Sequence, residues 1–398
     1  MMKVLFVNLV YGVGSTGKII ADIMELLKKY GNDVKALYGT GAVSENKDAV
    51  KVSGDFGYYF HNFMSRFTDH AGLYSWRATR KLIREIQDFR PDIIHLHTLH
   101  GFYVNYEMLF CFLKKANIPV VWTLHDCWTF TGHCTHFSQA KCTQWQTECR
   151  DCKLLYRYPQ CYFKGDVKRN YLRKKSAFTG VKNLVITTPS QWLADQVGQS
   201  FLQNYPTFVI PNGIDRTIFQ PQSSSLREKY HLEDKKIILG VANAWNARKG
   251  LSDMLALANR LGLDYQVVLI GLTEKQLPDI PPNVLGLLRT TNQTELAQWY
   301  SVADVFVNPT YEETFGLTTV EAQACGTPVV VYETDGCPET IASGNGLLVA
   351  QSDMQALENS VREMADDRWH ANPQKIAQFD KNSVYQKYIK LYNNILDT

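Results

Sequence analysis

The chain lacks any apolar run long enough to cross a membrane, and its net charge is only +3. Hydrophobic residues make up 45% of the 398 residues and charged residues 20%, which is typical of a globular protein that folds in water. The segment Lys3–Leu9 predicts a buried strand rather than a signal peptide, because its apolar run is short and no small-residue cleavage site follows. We therefore expect a cytoplasmic protein of two domains.

The small net charge hides an uneven distribution along the chain. Residues 1–205 contain 26 Lys and Arg against 16 Asp and Glu, a balance of +10, whereas the remainder contains 16 against 23, a balance of −7. A basic N-terminal half can face anionic lipid at a membrane surface, phosphorylated lipid or nucleic acid, and it can equally be solvated surface. A basic helix predicted over 164–175, with Tyr171 and Leu172 among its cations, leaves lipid contact and a solvated face both open.

The glycine-rich turn after the first strand lacks one residue that a magnesium-binding phosphate loop requires. Gly12 and Gly17-Lys18 have the spacing of such a loop, but Ile19 stands where Ser or Thr would bind magnesium. We interpret the segment as a strand-to-helix turn in which glycines such as Gly14 let the backbone approach a ligand. A tight turn without a ligand is the alternative. Appreciable ATP or GTP hydrolysis would instead indicate a P-loop-like nucleotide-binding protein.

The most informative stretch runs from Asn308 to Pro328 and predicts a strand end, a loop and a helix. Glu313 lies in the loop, and Glu321 follows eight positions later in the helix. A helix N-terminus attracts phosphate, whereas two carboxylates repel phosphate and accept hydrogen bonds from sugar or ribose hydroxyls. A phosphate site with a hydroxyl acceptor on either side describes a nucleotide-sugar site. The alternative is an ordinary loop Glu and a solvated helix Glu.

This stretch resembles the Glu-x7-Glu motif of family-4 retaining glycosyltransferases, with its Phe-Gly-Leu and Glu-Ala-x-Ala-Cys-Gly-x-Pro-Val-Val context. The resemblance spans nearly the whole chain and is strongest over 236–342 and 91–162. It implies the GT-B fold, an α/β architecture of two Rossmann-like parallel-sheet domains that face each other across a cleft. It also implies a retaining hexosyltransferase that uses a nucleoside-diphosphate-sugar. Because the sequence has no Asp-x-Asp triplet, we expect catalysis without a metal ion or other cofactor.

The stretch Ile-Pro-Asn-Gly-Ile-Asp at 210–215 resembles the linker between the two domains of the family. We expect an acceptor-side domain over residues 1–205, with a Cys-rich insertion at about 127–164. The C-terminal helix, 382–398, is expected to cross back and complete this first domain. The donor-binding domain is expected over 206–381.

The resemblance also assigns donor-binding roles to particular residues. It implies that Glu313 binds the sugar hydroxyls and Glu321 the ribose hydroxyls. Lys249 matches a phosphate-binding lysine of the family, but Asn243 stands where the family usually has an arginine, so Arg248 is the candidate replacement. The complete expected donor-binding set is Gly14, Asn243, Arg248, Lys249, Leu288, Arg289, Glu313, Phe315, Gly316, Leu317, Thr318 and Glu321.

A second part of the site is expected where the strand 119–124 ends in His125-Asp126, since open α/β sheets bind ligands at strand carboxyl ends. The resemblance implies that His125 contacts the transferred sugar, while Asp126 either orients it or touches the acceptor. A buried His beside a capping Asp is the alternative. The expected catalytic residues are thus His125, Asp126, Lys249 and Glu313, without a covalent enzyme nucleophile. We expect the alternating His95 and His97 to be core or cleft residues.

Six of the nine cysteines fall between residues 127 and 161. A CxxC pair and two further thiolates can form a tetrahedral structural zinc site, here with Cys134, Cys142, Cys149 and Cys152. Free or redox-active thiols are the alternative. A similar Cys-rich insertion after Thr-Leu-His-Asp-x-Trp occurs in the subgroup of the family that builds capsular and exopolysaccharides, of the colanic-acid type, which this chain resembles.

The subgroup resemblance implies a UDP- or GDP-linked donor and a glycan or polyprenyl-diphosphate-linked acceptor. The basic N-terminal half is the candidate for peripheral contact with the inner face of the plasma membrane, and no nucleic-acid partner is expected. Besides the P-loop-like protein named above, two rival functions stay open at this point. A sugar-nucleotide epimerase of the same fold would turn over without an acceptor, and a zinc-dependent nucleic-acid binder would retain DNA or RNA in a salt-sensitive way.

Overall fold

A computed structural model describes residues 1–367 and 369–397, and it divides into two compact units. The first unit comprises Met1–Pro211 together with the segment from Val384 onward. The second unit is Asn212–Ser383. Each unit is built on a single sheet in which every strand pair is parallel.

The sheet of the first unit has seven strands in the order β3-β2-β1-β4-β5-β6-β7. The strands are β1 Lys3–Asn8, β2 Asp33–Tyr38, β3 Ala49–Lys51, β4 Ile93–Leu96, β5 Val120–Thr123, β6 Leu184–Thr188 and β7 Thr207–Val209. The helices between them are α1 Gly14–Lys29, α2 Asp55–Thr68, α3 Trp76–Phe89, α4 Tyr106–Ala116, α5 Val167–Phe178 and α6 Gln191–Gly198.

The first sheet has a hydrophobic core on each of its two faces. Leu5 and Val7 of β1 pack into one apolar cluster, whereas Val4 and Phe6 pack into another. Successive side chains of a strand point to opposite faces, so these two clusters lie on opposite sides of the sheet. Burial on both faces explains why the strands are continuous apolar runs rather than alternating patterns.

The sheet of the second unit has six strands in the order β10-β9-β8-β11-β12-β13. They are β8 Lys236–Val241, β9 Tyr265–Ile270, β10 Val284–Leu287, β11 Val305–Asn308, β12 Val329–Tyr332 and β13 Gly346–Val349. The helices of this unit are α7 Leu226–Lys229, α8 Leu251–Leu261, α9 Gln293–Val302, α10 Leu317–Ala324 and α11 Met354–Asp366.

The last helix, α12 (Lys381–Leu396), packs into the first unit from Val384 onward. Its buried tyrosines reach the middle of the first sheet. The Tyr392 hydroxyl lies 2.7 Å from His95 Nδ1, and the Tyr388 hydroxyl lies 3.2 Å from Thr123 Oγ1. His95 is therefore a satisfied core histidine. The return of this helix and the two parallel sheets confirm the predicted fold class.

Each sheet has one topological switch point, where the strand order reverses: the chain first adds strands on one side of the first strand and then continues on its other side. This point lies between β1 and β4 in the first unit and between β8 and β11 in the second. Ligands of open α/β sheets bind outside the strand carboxyl ends at such points. Among the described residues, none of the helices is both long and apolar enough to span a bilayer.

Candidate active site

The turn after β8 presents Lys249 at the carboxyl end of the second sheet. Residues 247–249 form a single 3-10 turn, which Asn246 caps by accepting a hydrogen bond from the Lys249 N–H at 3.1 Å. Gly250 follows with a φ of +74°, and a Cβ at this position would lie 2.2 Å from the Pro309 carbonyl oxygen. Glycine therefore allows the turn to press against the loop that follows β11.

Lys249 forms an ion pair with the carboxylate of Glu313 in that loop, and the two side chains are only 22% and 20% exposed. The Glu313 backbone is fixed on both sides. Its N–H donates to Asp335 Oδ2 at 3.0 Å, and its carbonyl accepts from the Gly336 N–H at 3.1 Å. A largely buried cation beside the site is a suitable partner for an anionic ligand such as a diphosphate.

Arg248 has a contact that the sequence did not predict. Its Nη1 donates to the Glu312 carbonyl oxygen at 2.7 Å, and its own carbonyl accepts from the Tyr311 N–H at 2.8 Å. The guanidinium thus fastens the β11 loop to the turn after β8. Asn243 lies at the start of that turn and is exposed. The structure consequently places Lys249, rather than Arg248, in contact with Glu313.

The N-terminus of α10 follows the same loop. Gly316 caps this helix with a φ of +96°, and a Cβ at this position would lie 3.6 Å from its nearest neighbour, so conformation rather than space requires glycine. The first-turn N–H groups of the helix, including those of Leu317 and Thr318, have no acceptor one turn earlier within it. Together with the helix dipole, they favour an anion.

Phe315 was predicted to bind the donor, but the structure places its side chain in the core. It is 2% exposed, and its ring packs edge-to-face against Phe379 with centroids 5.7 Å apart. Any ligand contact of this residue would have to come from its backbone. Leu288 and Arg289 directly follow β10 and are both exposed, so they lie at the carboxyl edge of the same sheet.

Glu321 lies one turn into α10 and is held by a residue that sequence reasoning missed. Its Oε2 accepts a hydrogen bond from the Tyr300 hydroxyl at 3.1 Å. Tyr300 is fully buried on α9, and burial, reinforced by the charge of Glu321, raises the pKa of its hydroxyl well above the usual value. The hydroxyl therefore remains a donor. Nothing in the local sequence pattern indicates this contact, because the two residues lie on different helices.

The strand ends β4 and β5 of the first unit bring two histidines together. His97 Nδ1 and His125 Nε2 are 3.0 Å apart, and the two rings stack with centroids separated by 5.3 Å. Burial lowers the pKa of His125 to about 4, although the charge of Asp126 opposes this effect, and burial lowers the pKa of His97 well below the usual value. Both imidazoles are neutral at pH 7, so one ring donates its N–H to the other.

Asp126 pairs with His100. Its Oδ2 lies 2.6 Å from His100 Nε2, and its Oδ1 accepts from the Trp128 N–H at 2.9 Å. Burial favours the neutral acid, but His100 and the Trp128 N–H outweigh that effect and lower the pKa of Asp126 to about 2. The other nitrogen of His100 lies 3.2 Å from the Tyr158 hydroxyl. The hydrogen bonds of Asp126 thus orient His100, which follows strand β4 just as His125 follows β5.

The glycine-rich loop lies at the carboxyl end of β1. Gly14 is exposed, opens α1 and has a φ of +63°, while the Gly12 N–H donates to the Gly17 carbonyl at 3.0 Å. Ile19 points into the core and is only 4% exposed. The loop closes on itself through this hydrogen bond and leaves Gly12 and Gly14 open to solvent, as a ligand-approaching turn requires, whereas Gly17 is buried.

The four cysteines of the predicted zinc site line one small cavity, together with His133 and Trp145. The thiol of Cys134 hydrogen-bonds to Cys152, which lowers the pKa of Cys152 to about 6. Yet no three His, Cys, Asp or Glu side chains within residues 1–367 and 369–397 are arranged to hold a metal ion. The described residues therefore give the zinc interpretation no support.

Sequence models of two protein families match the chain. Glycosyltransferase Family 4 matches residues 17–217, and Glycosyl transferases group 1 matches residues 222–383. The chain belongs to glycosyltransferase family 4. It is accordingly a retaining glycosyltransferase that uses a nucleoside-diphosphate-sugar, which confirms the predicted family and enzyme class.

Among its relatives is WcaC of Escherichia coli strain K12, a glycosyl transferase provisionally assigned to colanic acid biosynthesis. It is 24% identical over 326 residues, 77% of each chain. The capsular polysaccharide biosynthesis glycosyltransferase CapM of Staphylococcus aureus is 24% identical over 46% of this chain and 53% of CapM. D-inositol 3-phosphate glycosyltransferase 2 of Catenulispora acidiphila is 40% identical, but the match spans only 26% of this chain and 23% of that protein.

Solved structures share the fold along the whole chain. Sucrose-phosphate synthase from Thermosynechococcus elongatus has a TM-score of 0.76 at 17% identity and covers 100% of both chains. Anabaena HepE in complex with UDP-glucose has a TM-score of 0.67 at 17% identity, covering 99% of this chain and 100% of HepE. These similarities show that the glycosyltransferase has the GT-B fold.

Proposed function

We propose that this glycosyltransferase transfers a hexose from a UDP- or GDP-linked sugar to a glycan or polyprenyl-diphosphate-linked oligosaccharide during the synthesis of a surface polysaccharide. The observation that carries the proposal is the Lys249–Glu313 ion pair. It lies at the topological switch point of the second sheet, between β8 and β11, beside the N-terminus of α10. This arrangement combines an anion-binding helix end with a cation and a hydroxyl-binding carboxylate.

In the proposed donor complex, Lys249 and the first-turn N–H groups of α10 bind the diphosphate. Its negative charge grows as the sugar leaves, so these groups stabilise the transition state more than the bound donor. Glu313, released from part of its interaction with Lys249, accepts hydrogen bonds from sugar hydroxyls. Glu321, already oriented by Tyr300, accepts them from the ribose. Leu288 and Arg289 contact the nucleobase in this scheme.

We infer that transfer occurs on one face of the sugar, without a covalent enzyme intermediate. The bond between the anomeric carbon and the diphosphate oxygen breaks, and its electron pair goes to the diphosphate. The acceptor hydroxyl forms the new bond from the same side, and its proton passes to the departing phosphate oxygen. Glu313 is assigned to the sugar hydroxyls and Asp126 pairs with His100, so neither carboxylate serves as a nucleophile in this scheme.

Neutral histidines of the first unit suit the uncharged parts of the substrates. We assign His125 to a hydroxyl of the transferred sugar, as the family resemblance implies, with His97 fixing its ring. The His100–Asp126 pair is assigned to the acceptor, for which it offers a polarised imidazole. Gly14 lies in the loop assigned to the donor diphosphate and the acceptor.

Two further observations support the finer parts of the proposal. HepE, which shares the fold, was solved with UDP-glucose, so UDP-glucose is the first donor to try. WcaC and CapM carry names of exopolysaccharide and capsule synthesis. Within the described residues no disulfide joins any of the cysteines, which fits action in the reducing cytoplasm at the inner face of the membrane.

The decisive experiment is a thermal-shift screen of nucleotide sugars, followed by transfer of labelled sugar to lipid-linked oligosaccharide. A true donor at a hundred times its Kd stabilises the fold by about 2.7 kcal/mol. Failure of every UDP- and GDP-sugar to raise Tm would overturn the donor assignment. Conversion of the sugar without any acceptor would favour the epimerase, and a trapped glycosyl-enzyme would refute the one-face scheme.

A further inference from the structure

Helix α2 exposes one continuous stripe of aromatic side chains. Its exposed rings are spaced three or four residues apart, so they lie on one side of the helix. Only His61 and Ser65 of this helix are buried. We call the stripe the aromatic ridge; it consists of Phe56 (85% exposed), Tyr59 (67%), Phe60 (43%), Phe63 (59%) and Phe67 (41%).

The ridge continues into the end of the Cys-rich segment. The rings of Phe63 and Phe67 have centroids 4.8 Å apart, and Phe67 lies 5.7 Å from Phe163 and 6.2 Å from Tyr162. Phe163 and Tyr162 are themselves more than half exposed. Contiguous exposed apolar patches of this kind are rare on proteins without a partner and mark interaction sites.

A groove runs between the ridge and the start of α3. It has a volume of about 570 Å3, and its walls include Phe56, Phe60 and Trp76. Arg77 and Lys81 also line it, so two cations accompany an apolar trough. A phospholipid has the same two chemical parts, an apolar chain beneath an anionic phosphate.

The charge around the ridge is strongly positive. Residues 51–84 contain six Lys and Arg against two Asp. Of these two, Asp55 pairs with Lys51 at 2.8 Å, and Asp69 is buried against His133. The exposed cations of α3 next to the ridge are Arg77, Arg80, Lys81 and Arg84. Within residues 51–84 the carboxylates are paired or buried, so the rings and exposed cations there are complementary to an anionic apolar interface.

The basic helix that the sequence singled out for lipid contact, α5, is built differently. Tyr171 is 1% exposed, and Lys174 is 2% exposed and donates to the carbonyls of Trp128 and Thr131 at 2.7 and 3.0 Å. The apolar face of α5 is therefore already packed inside the protein. Leu172 is the large apolar side chain that this helix leaves exposed.

We propose that the aromatic ridge and the exposed cations of α3 form a docking surface for a bilayer that contains anionic phospholipid. The rings enter the headgroup region, and the guanidinium and ammonium groups bind lipid phosphates. This deepens the proposed function, because a polyprenyl-linked acceptor resides in such a bilayer. The binding itself requires neither donor nor acceptor and is measured without them.

The test is flotation of the full-length protein with vesicles of phosphatidylcholine alone or mixed with phosphatidylglycerol. We expect binding that requires phosphatidylglycerol and weakens with salt. The triple variant Phe56→Ser, Phe60→Ser, Phe63→Ser should bind at least about tenfold more weakly. Its matched control is Tyr30→Ser with Phe208→Ser, which removes exposed aromatics elsewhere on the same unit and should bind like the wild type.

The electrostatic part has its own pair of variants. Arg77→Glu with Arg80→Glu and Arg84→Glu should lower binding about a hundredfold or more. The control reverses three exposed cations of α5 instead, Lys168, Arg169 and Lys175. If net charge alone governed binding, this control would lose as much affinity as the α3 variant, and the proposed location would be wrong.

Three other results would overturn the proposal. One is a ridge variant that binds vesicles as tightly as the wild type does. Another is a wild-type protein that does not bind vesicles. The third is a dimer that the ridge variant abolishes while vesicles are ignored, which would make the ridge a contact between copies of this chain. The donor-induced thermal shift is recorded for every variant. If no donor shifts the Tm of the wild type, the proposed function is refuted. If a variant keeps the donor-induced shift but loses vesicle binding, the result supports the docking surface separately from donor binding.

Discussion

The two units use the same sheet architecture but place opposite kinds of chemistry at their strand ends. In the first unit, burial keeps the stacked His97 and His125 neutral. In the second, Lys249 and Glu313 form an ion pair, and Glu321 accepts from a buried tyrosine. Neutral rings suit hydroxyl groups, whereas a paired cation suits a diphosphate. In the proposed scheme, residues at strand ends, rather than the fold, determine which part of the substrate each unit binds.

Of the changes considered, removing the charge of Lys249 should have the largest effect on catalysis. We expect Lys249→Ala to lower kcat/KM about 100- to 1,000-fold, because in the proposed donor complex Lys249 is a preorganised cation beside the leaving diphosphate. Steady-state kinetics with the donor found by thermal shift would measure this. The control Lys275→Ala removes an exposed lysine of the same unit and should leave kcat/KM unchanged. An equal loss of kcat/KM in the Lys249 and Lys275 variants would show that Lys249 has no specific role. The contrast between a charged site in the second unit and a neutral one in the first would then fail.

Acid should weaken the first unit before the second. Burial lowers the pKa of His61 to about 3 and that of His125 to about 4, so each is neutral in the folded state. Such a histidine gives its full stabilisation above its unfolded pKa of 6.5 and loses it as the pH falls toward the folded value. At pH 4 each histidine lowers the free energy of unfolding by about 3 kcal/mol, because it is protonated far more readily in the unfolded state and one pKa unit corresponds to about 1.36 kcal/mol.

Hydrogen exchange resolved by peptide, recorded between pH 7 and pH 4, would measure this difference between the units. His61→Gln should flatten the pH dependence in the first unit, because glutamine can accept from the Gly72 N–H without titrating. His231→Gln changes an exposed histidine of the second unit and should not alter the slope. Simultaneous loss of protection in both units near pH 6 would contradict the prediction.

A smaller effect is expected from Tyr300→Phe, which removes the hydroxyl that orients Glu321. We expect the donor KM to rise about three- to tenfold with little change in kcat, in line with the roughly 0.5–1.5 kcal/mol that one ordinary hydrogen bond contributes. Tyr265→Phe is a matched control, since its hydroxyl donates to the Asp366 carboxylate at 2.6 Å outside the site. A fall in kcat without a rise in KM would show that Tyr300 does not act through donor binding.

The smallest effect is expected from metal removal in the first unit. If the thiols of the Cys-rich segment are free, EDTA should leave Tm unchanged in a reducing buffer, and metal analysis should find less than one zinc per chain. One tightly held zinc per chain, together with a fall in Tm on chelation, would restore the zinc interpretation. It would also give the first unit a stabilising device that the second does not share.

Strand-end motifs made much of this molecule predictable from its sequence. The strand expected over Lys3–Leu9 forms as β1 (Lys3–Asn8), and the strand expected over 119–124 forms as β5 (Val120–Thr123). Short strands were harder to recognise. β3 has three residues, and β13 begins at the last residue of a Gly-Asn-Gly stretch that indicates a loop. Their pairing with neighbouring strands, rather than their own propensity, makes them strands.

Site contacts between distant elements could not be predicted in the same way. The sequence places His125 beside Asp126, yet the carboxylate pairs with His100, which follows another strand. It gives Arg248 a role with phosphate, yet the guanidinium donates to the Glu312 carbonyl. Adjacent residues at a strand end point in different directions, so sequence neighbours need not be partners in space.

The hydrogen bonds between α12 and the first sheet have a consequence for synthesis on the ribosome. Tyr392 and His95 are 297 positions apart, and the entire second unit is translated between them. The second unit is continuous in sequence and can fold as it emerges, whereas the first must wait for residues made last. Until then, the core side that α12 covers is exposed and available to chaperones. A released chain truncated before Val384 should therefore carry a folded second unit and an unfinished first unit.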